Sequence, residues 1–440
     1  MTSDAFGYNL TGANAEAVAS YQSGIRAFTL GCGDLLGDFD RAIEAAPRFV
    51  MGHLGKAWIF ALATDPGAAL LARTILAGAR DLPMDAREAA HLAALDQALA
   101  GAQSAAARAF DRHLVHYPHD LLAHIAGFLL DLFLGDTRNI RDRPARALPL
   151  WSSAMEGHAA MLGFHAFGLE ENGAYERAED QARRVAEAEP LSFWAHHTVA
   201  HVMEMQGRPK DGIGWMLARE ALWSSPDHLT QTHIWWHRAL FHVELGQADA
   251  VLSLYDGPLT ATQRPLGVSL TNASALLWRL DMLGHEVCAR WRALRPIWAG
   301  HADGRCSVFC DLHALMAELG AGDDAPADGR VAAMRRTASG DDEAGVIYRL
   351  AGVPLAEGFI EFHRGDYARA AELLYSARSV TKLIGGSHAQ RDIADWTLTE
   401  AALRGGQHDM AVALAYERLA LRPRSTVNRA FLRRAEGLRP

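Results

Sequence analysis

The 440-residue sequence predicts an all-α fold, a tetratricopeptide-type α-solenoid of antiparallel helix pairs forming a superhelix with a concave groove. Three observations predict it. Apolar residues recur at spacings of three and four, and almost no segment alternates apolar with polar at period two. The helical stretches "AIEAAP", "HLVHYP", "VAEAEP" and "ALWSSP" end in Pro47, Pro118, Pro190 and Pro226. These prolines lie 71, 72 and 36 residues apart, close to two, two and one periods of a repeat of about 34 residues.

Each element follows in order. "AEAVASYQSGIRAFTLG" has the pattern of an N-terminal helix suited to cover one end of a repeat stack. Phe39 and Phe110 stand eight residues before their prolines, where a second helix needs an aromatic ring. Ala106 and Ala178 stand twelve before theirs, where a small residue lets two helices touch. Proline lacks an amide hydrogen and restricts its predecessor, so each of the four marks a turn. "HRGDYARAAELLYSAR" at 363–378 repeats the first half of "ENGAYERAEDQARRVAEAEP". Residues 258–345 fit less well, and "GAGDDAPADGR" within them reads as an exposed loop. The expected organisation is one continuous superhelix, with regular repeats over 1–257, an irregular middle over 258–345 and C-terminal repeats over 346–440.

Composition narrows the function classes. Hydrophobic residues make up 50% and charged residues 22%, which suits a soluble globular chain with a large core. The net charge of −9 argues against nucleic acid and against anionic membrane surfaces, because both need a concentrated positive field. The first residues carry no basic-then-apolar leader pattern, and no apolar run reaches the roughly 20 residues of a membrane span. Cys32, Cys288, Cys306 and Cys310 are too few for a disulfide framework, and the pair at 306 and 310 has no partner pair to make a zinc site. These features suggest a reduced, cytoplasmic protein.

The chemistry concentrates in "FWAHHTVAHVMEMQGR", 193–208, and "HIWWH", 233–237. Counting from helix starts at Phe193 and Leu229, His197 and His233 both fall at position five, and His201 and His237 both at position nine. Residues four apart share a helix face, so two pairs of imidazoles one repeat apart should meet in the groove. Trp194 and Glu204 fall at positions two and twelve of the first helix, and Glu170 near position twelve of the preceding repeat. His196 lies off this face. His53, His116, His158, His242 and His285 are assigned to helix packing, as are Trp151, Trp215, Trp223 and Trp278. "GGSHAQRD" brings paired glycines to a helix start, so His388 and Arg391 are candidates to anchor an anionic group; a plain turn is the alternative.

Long ordered segments resemble the tetratricopeptide repeat protein 38 family: "FGLEENGAYERAE", "FWAHHTVAHVMEMQGRPKDGIGWM", "THIWWHRALFHVELG", "SLYDGPL" and "GGSHAQRDIADWTLTEAALRGG". Upstream, "REAAHLAALDQALAG", "YPHDLLAHIAGFLLDLFLGD" and "RDRPARALPLW" extend the resemblance over most of the chain. It is weakest over 288–345, which includes His313. The resemblance implies an all-helical, soluble, intracellular solenoid and supplies no settled reaction.

Two readings of function follow. In the first, His197, His201, His233, His237, Trp194, Glu170, Glu204, His388 and Arg391 line a groove that binds a small polar or aromatic ligand. Trp194 would stack on the ligand while the imidazoles donate and accept. A short peptide is a third option, although the groove lacks the lysine and arginine of a carboxylate clamp. In the second, the protein is a metal- or histidine-dependent enzyme of the hydrolase or lyase type, with His201, His237 and Glu204 as catalytic candidates. His197, His201, His233 and His237 would then hold a transition metal, although nothing in the sequence requires a cofactor. The HExxH signature is absent, since the segment reads "HTVAH", and there is no serine elbow, P-loop or dinucleotide glycine pattern. Apolar repeat ends also allow a homodimer.

Overall fold

A computed structural model describes residues 2–322 and 324–437. Its helices pair in chain order, so the all-α helix-pair solenoid is the fold observed. Among the described residues the only β pairings are two isolated bridges, Ser3 with Asn9 and Cys32 with His228. Two compact units form: Met1–Val199 with Glu220–Gln231, and Ala200–Arg219 with Thr232–Pro440.

In the first unit, Ala15–Leu30 packs on Leu35–Ala45, Val50–Ala61 on Pro66–Ala79, and His158–Glu171 on Tyr175–Ala188. Pro47, Pro118, Pro190 and Pro226 all lie in turns that follow helices. Phe39 and Phe110 are fully buried, as are Ala106 and Ala178. Glycine explains how the helices come so close. A Cβ at Gly55 would lie 2.2 Å from the Phe39 ring, and one at Gly168 would lie 2.4 Å from the Arg141 backbone. Aspartates at the N-caps start several helices: Asp34, Asp65, Asp85, Asp120 and Asp136 each accept a first-turn amide.

Asp120 does more than cap. Its Oδ1 accepts from the Ala123 amide, while its Oδ2 accepts from Arg87 Nη1 at 3.1 Å and from the Nε2 atoms of His91 and His113, each at 3.0 Å. Burial alone would raise this carboxyl, but His91, Arg87 and His113 together hold it well below the usual carboxylate range. A second buried pair, Arg143 with Asp131 at 2.8 Å, ties Thr137–Ala147 to Leu121–Leu134.

In the second unit, Gly267–Met282 packs on Val308–Gly320 and on His388–Arg404, and Val353–Arg364 packs on Tyr367–Ala377. A kink at Gly257, whose φ of −96° and ψ of −108° are non-helical, and a wide helical turn at Tyr348–Gly352 interrupt the regular path. The stretch "GAGDDAPADGR", expected as a loop, is helical from Asp324. Pro326 falls in the first turn of Asp324–Ala338, where an amide hydrogen has no intrahelical acceptor to lose. The helix expected to start at Leu229 starts at Gln231 instead. The preceding residues are held in turns, with the Leu229 amide donating to the Gly31 carbonyl. No described helix is long and apolar enough to cross a membrane.

Asp120→Asn removes the charge that three donors share and strands a buried guanidinium, so it should cost about 3–5 kcal/mol, read by urea unfolding of the first unit's signal. Acid should act in the same direction. Burial holds His124 and His228 near a pKa of about 4, whereas an unfolded imidazole titrates near about 6.5. The unfolded chain therefore binds more protons below that value, and stability should decline as pH falls from about 6.5 towards 4. An unfolding midpoint that stays flat across this window would contradict the assignment of neutral buried imidazoles.

Candidate functional site

His201, His233 and His237 come together in the second unit. His201 lies on the helix Phe193–Met205, and His233 and His237 on Gln231–Glu244. One ring nitrogen from each lies within 4.8 Å of the other two. The ring centroids of His201 and His237 are 4.6 Å apart, and those of His233 and His237 are 4.7 Å apart. His201 and His237 are fully buried.

Each ring of Gln231–Glu244 is fixed by its Nδ1. His233 Nδ1 meets Asn272 Oδ1 at 2.7 Å. The Asn272 amide nitrogen donates to the carbonyls of Ser269 (2.9 Å) and Val268 (3.4 Å), so its oxygen must face the imidazole. An oxygen that can only accept puts the His233 proton on Nδ1 and leaves a lone pair on Nε2. His237 Nδ1 lies 3.3 Å from Glu204 Oε2. The other Glu204 oxygen lies 3.5 Å from Arg422 Nη1, which favours the carboxylate form. The Nε2 atoms of His233 and His237 then face each other at 3.2 Å.

Electrostatics keep both rings neutral. Burial pushes His233 down to about 4 and outweighs its bond to Asn272. Burial, then the charges of His201 and His233, push His237 well below the ordinary imidazole value. Burial raises the Glu204 carboxyl, opposed first by Arg422. Glu204, Arg279, Asp392, Trp396 and Arg422 line a cleft of about 390 Å³, counted to its open mouth.

The remaining candidates divide. His388 joins the cluster through its ring, 5.4 Å from that of His201. The anion anchor expected from "GGSHAQRD" is not what forms. Gly385 and Gly386 take positive φ, Ser387 caps the helix His388–Arg404 in a reciprocal box with Gln390, and Arg391 donates to the Gly386 carbonyl. This is a self-satisfied turn. His197 belongs to the first unit, where its ring stacks between Phe167 and Phe193 at 5.1 and 4.8 Å. Trp194 is buried among Phe128, Phe164 and Phe167, so packing and not a ligand takes its faces. Glu170 is buried near the end of His158–Glu171 in the first unit. His313 is buried too, with its Nδ1 donating to the Phe309 carbonyl at 2.7 Å.

Sequence reasoning missed Asn272 and Arg422. No short motif marks them, because a residue that orients a histidine need only reach it in space. The one available signal was a polar Asn272 inside the otherwise apolar face of "VSLTNASALLWRL".

No family model matches this sequence. Solved structures similar to it include the human IFIT1 dimer with m7Gppp-AAAA, at 13% identity and a TM-score of 0.43 over 99% of this chain and 97% of that one. A monomeric IFIT1 mutant with Gppp-AAAA matches at 13% identity and 0.41, over 99% and 98%. The human IFIT1 dimer with PPP-AAAA matches at 12% identity and 0.40, over 99% and 97%.

Asn272→Ala should leave helicity unchanged while releasing the His233 ring. Two-bond proton–nitrogen spectra of the metal-free protein should show a single Nδ1–H tautomer for His233, and a mixture in the variant. A single tautomer in both would mean that Asn272 does not set it.

Proposed function

We propose that the second unit holds a transition-metal centre on His201, His233 and His237, and that the protein is a metal-dependent enzyme of the hydrolase or lyase type acting on a small polar molecule. One observation carries this reading: the Nε2 atoms of two buried imidazoles lie 3.2 Å apart, while their Nδ1 atoms face side-chain oxygens of Asn272 and Glu204. A metal ion beside both Nε2 atoms would use that arrangement. Two nitrogens bound to a tetrahedral zinc at about 2.0–2.1 Å stand about 3.3–3.4 Å apart, close to the observed spacing.

The surroundings support the same reading. Metal-bound histidines usually give their second N–H to a carbonyl or carboxylate, and Asn272 and Glu204 supply one of each. Three imidazoles leave a fourth position for water or substrate, and a bound metal would lower the pKa of that water towards neutrality. Glu204 would hold His237 in the ligating tautomer. His388, whose ring lies 5.4 Å from that of His201, would be the candidate to exchange protons with bound substrate. The resemblance to the tetratricopeptide repeat protein 38 family fits this assignment, since its most extended matching segments carry these histidines.

Elemental analysis decides between metal and bare imidazole. Protein purified without chelator should carry near-stoichiometric zinc, manganese or iron. His201→Ala with His237→Ala should remove the metal while circular dichroism stays unchanged. Asn272→Ala should weaken metal affinity by about 10–100-fold, the usual effect of losing an outer partner. Metal-free protein that still turns over or binds its ligand would overturn the metal reading and leave the imidazoles as a binding site.

A further inference from the structure

The first unit contains a cleft of about 700 Å³, counted to its open mouth. It lies among the N-terminal segment, the helix Ala15–Leu30, and the starts of Leu121–Leu134 and His158–Glu171. Its walls are apolar and aromatic: Phe6, Tyr21, Ile25, Leu30, Leu121 and Leu122.

The charges on this lining are unbalanced. Arg87 is almost fully buried, with Nη1 given to Asp120 and Nη2 to the Asn9 carbonyl, both at 3.1 Å. Arg26 pairs with Glu189 at 2.8 Å. Each lining arginine is therefore matched by its own carboxylate. Asp4 and Glu156 also line the cleft, and among the described residues neither has a lysine, arginine or histidine in ion-pair contact. Asp4 Oδ1 accepts only from the backbone amides of Phe6 and Tyr8, at 3.0 and 2.9 Å. An anionic ligand would find no cation left to receive it. A cationic one would find two carboxylates and a π-faced wall.

We propose that this cleft binds a small hydrophobic organic cation, an alkyl- or arylammonium, with its apolar body against Phe6, Tyr21 and Leu121 and its charge facing Asp4 and Glu156. Desolvation of Asp4 fits the same picture: burial pushes its carboxyl above the usual value, which a bound ammonium would reverse. The cleft is lined entirely by first-unit residues, so its occupancy is independent of the histidine cluster.

The test uses the full chain and three probes of equal length: hexylammonium, hexanol and hexanoate. Calorimetry should show saturable binding of hexylammonium at a single site, about tenfold or more tighter than hexanol, with no binding of hexanoate. Glu156→Gln, at an exposed position, and Asp4→Asn, which keeps the acceptor for the two amides, should each weaken the cation without changing the circular dichroism. Hexylammonium binding should persist in the variant lacking His201 and His237. Hexanol or hexanoate binding as tightly as hexylammonium would overturn the proposal, as would unchanged affinity in both carboxylate variants, no saturable binding, or loss of binding in the histidine variant.

Discussion

Everything in this molecule rests on close contact between helix backbones. With no strands among the described residues, backbone hydrogen bonding stays almost wholly inside each helix, and only side-chain packing holds one helix to the next. That packing depends on residues too small to keep helices apart. Gly55 and Gly24 accept the Phe39 ring, Gly168 lies on the Arg141 backbone, and in the second unit Gly212 and Gly320 accept Phe241 and Trp291. A methyl group at any of these positions would meet a ring or backbone at under 3 Å, so the neighbouring helix would have to move.

Close packing has an electrostatic consequence. Where helices approach this tightly, water is excluded, and a polar side chain pointing inward must find its partner among neighbouring helices. Arg143 finds Asp131, and Arg418 and Arg422 find Asp392. Burial alone would raise the Asp392 carboxyl, but Arg418 and then Arg422 overturn that and hold it below its ordinary value. The same exclusion holds His233 and His237 below the ordinary imidazole value. The packing that builds the fold therefore also sets the protonation of these rings.

This explains which features were legible in the sequence. Proline spacing, the buried Phe39 and Phe110, and the small Ala106 and Ala178 are consequences of helix contact repeated every 34 to 36 residues, and a period is visible in one dimension. The 36-residue offset between His201 and His237 belongs to the same period, and these two rings do meet. Features set by a single local competition were not legible. Trp194 shares the helix and the periodic face, yet three phenylalanines of the neighbouring helices claim its ring. The glycines before His388 suggested an anion cradle, but Ser387 and Gln390 already satisfy the turn. Asn272 was invisible because its role depends on two carbonyls orienting its amide.

Two of the buried histidine clusters among the described residues, each with a carboxylate beside it, differ in where their hydrogen bonds point. Around Asp120, two imidazole Nε2–H groups and one guanidinium all donate to a single carboxylate oxygen. A metal at that point would face the Arg87 charge, and the shared carboxylate ties the first unit's helices together. Around His237 the arrangement differs. The Nδ1 atoms of His233 and His237 face Asn272 and Glu204, and their Nε2 atoms face each other at 3.2 Å. Residue composition alone would rank the two clusters alike. Their partners tell them apart: around Asp120 the rings converge on one carboxylate oxygen, and around His237 they face each other.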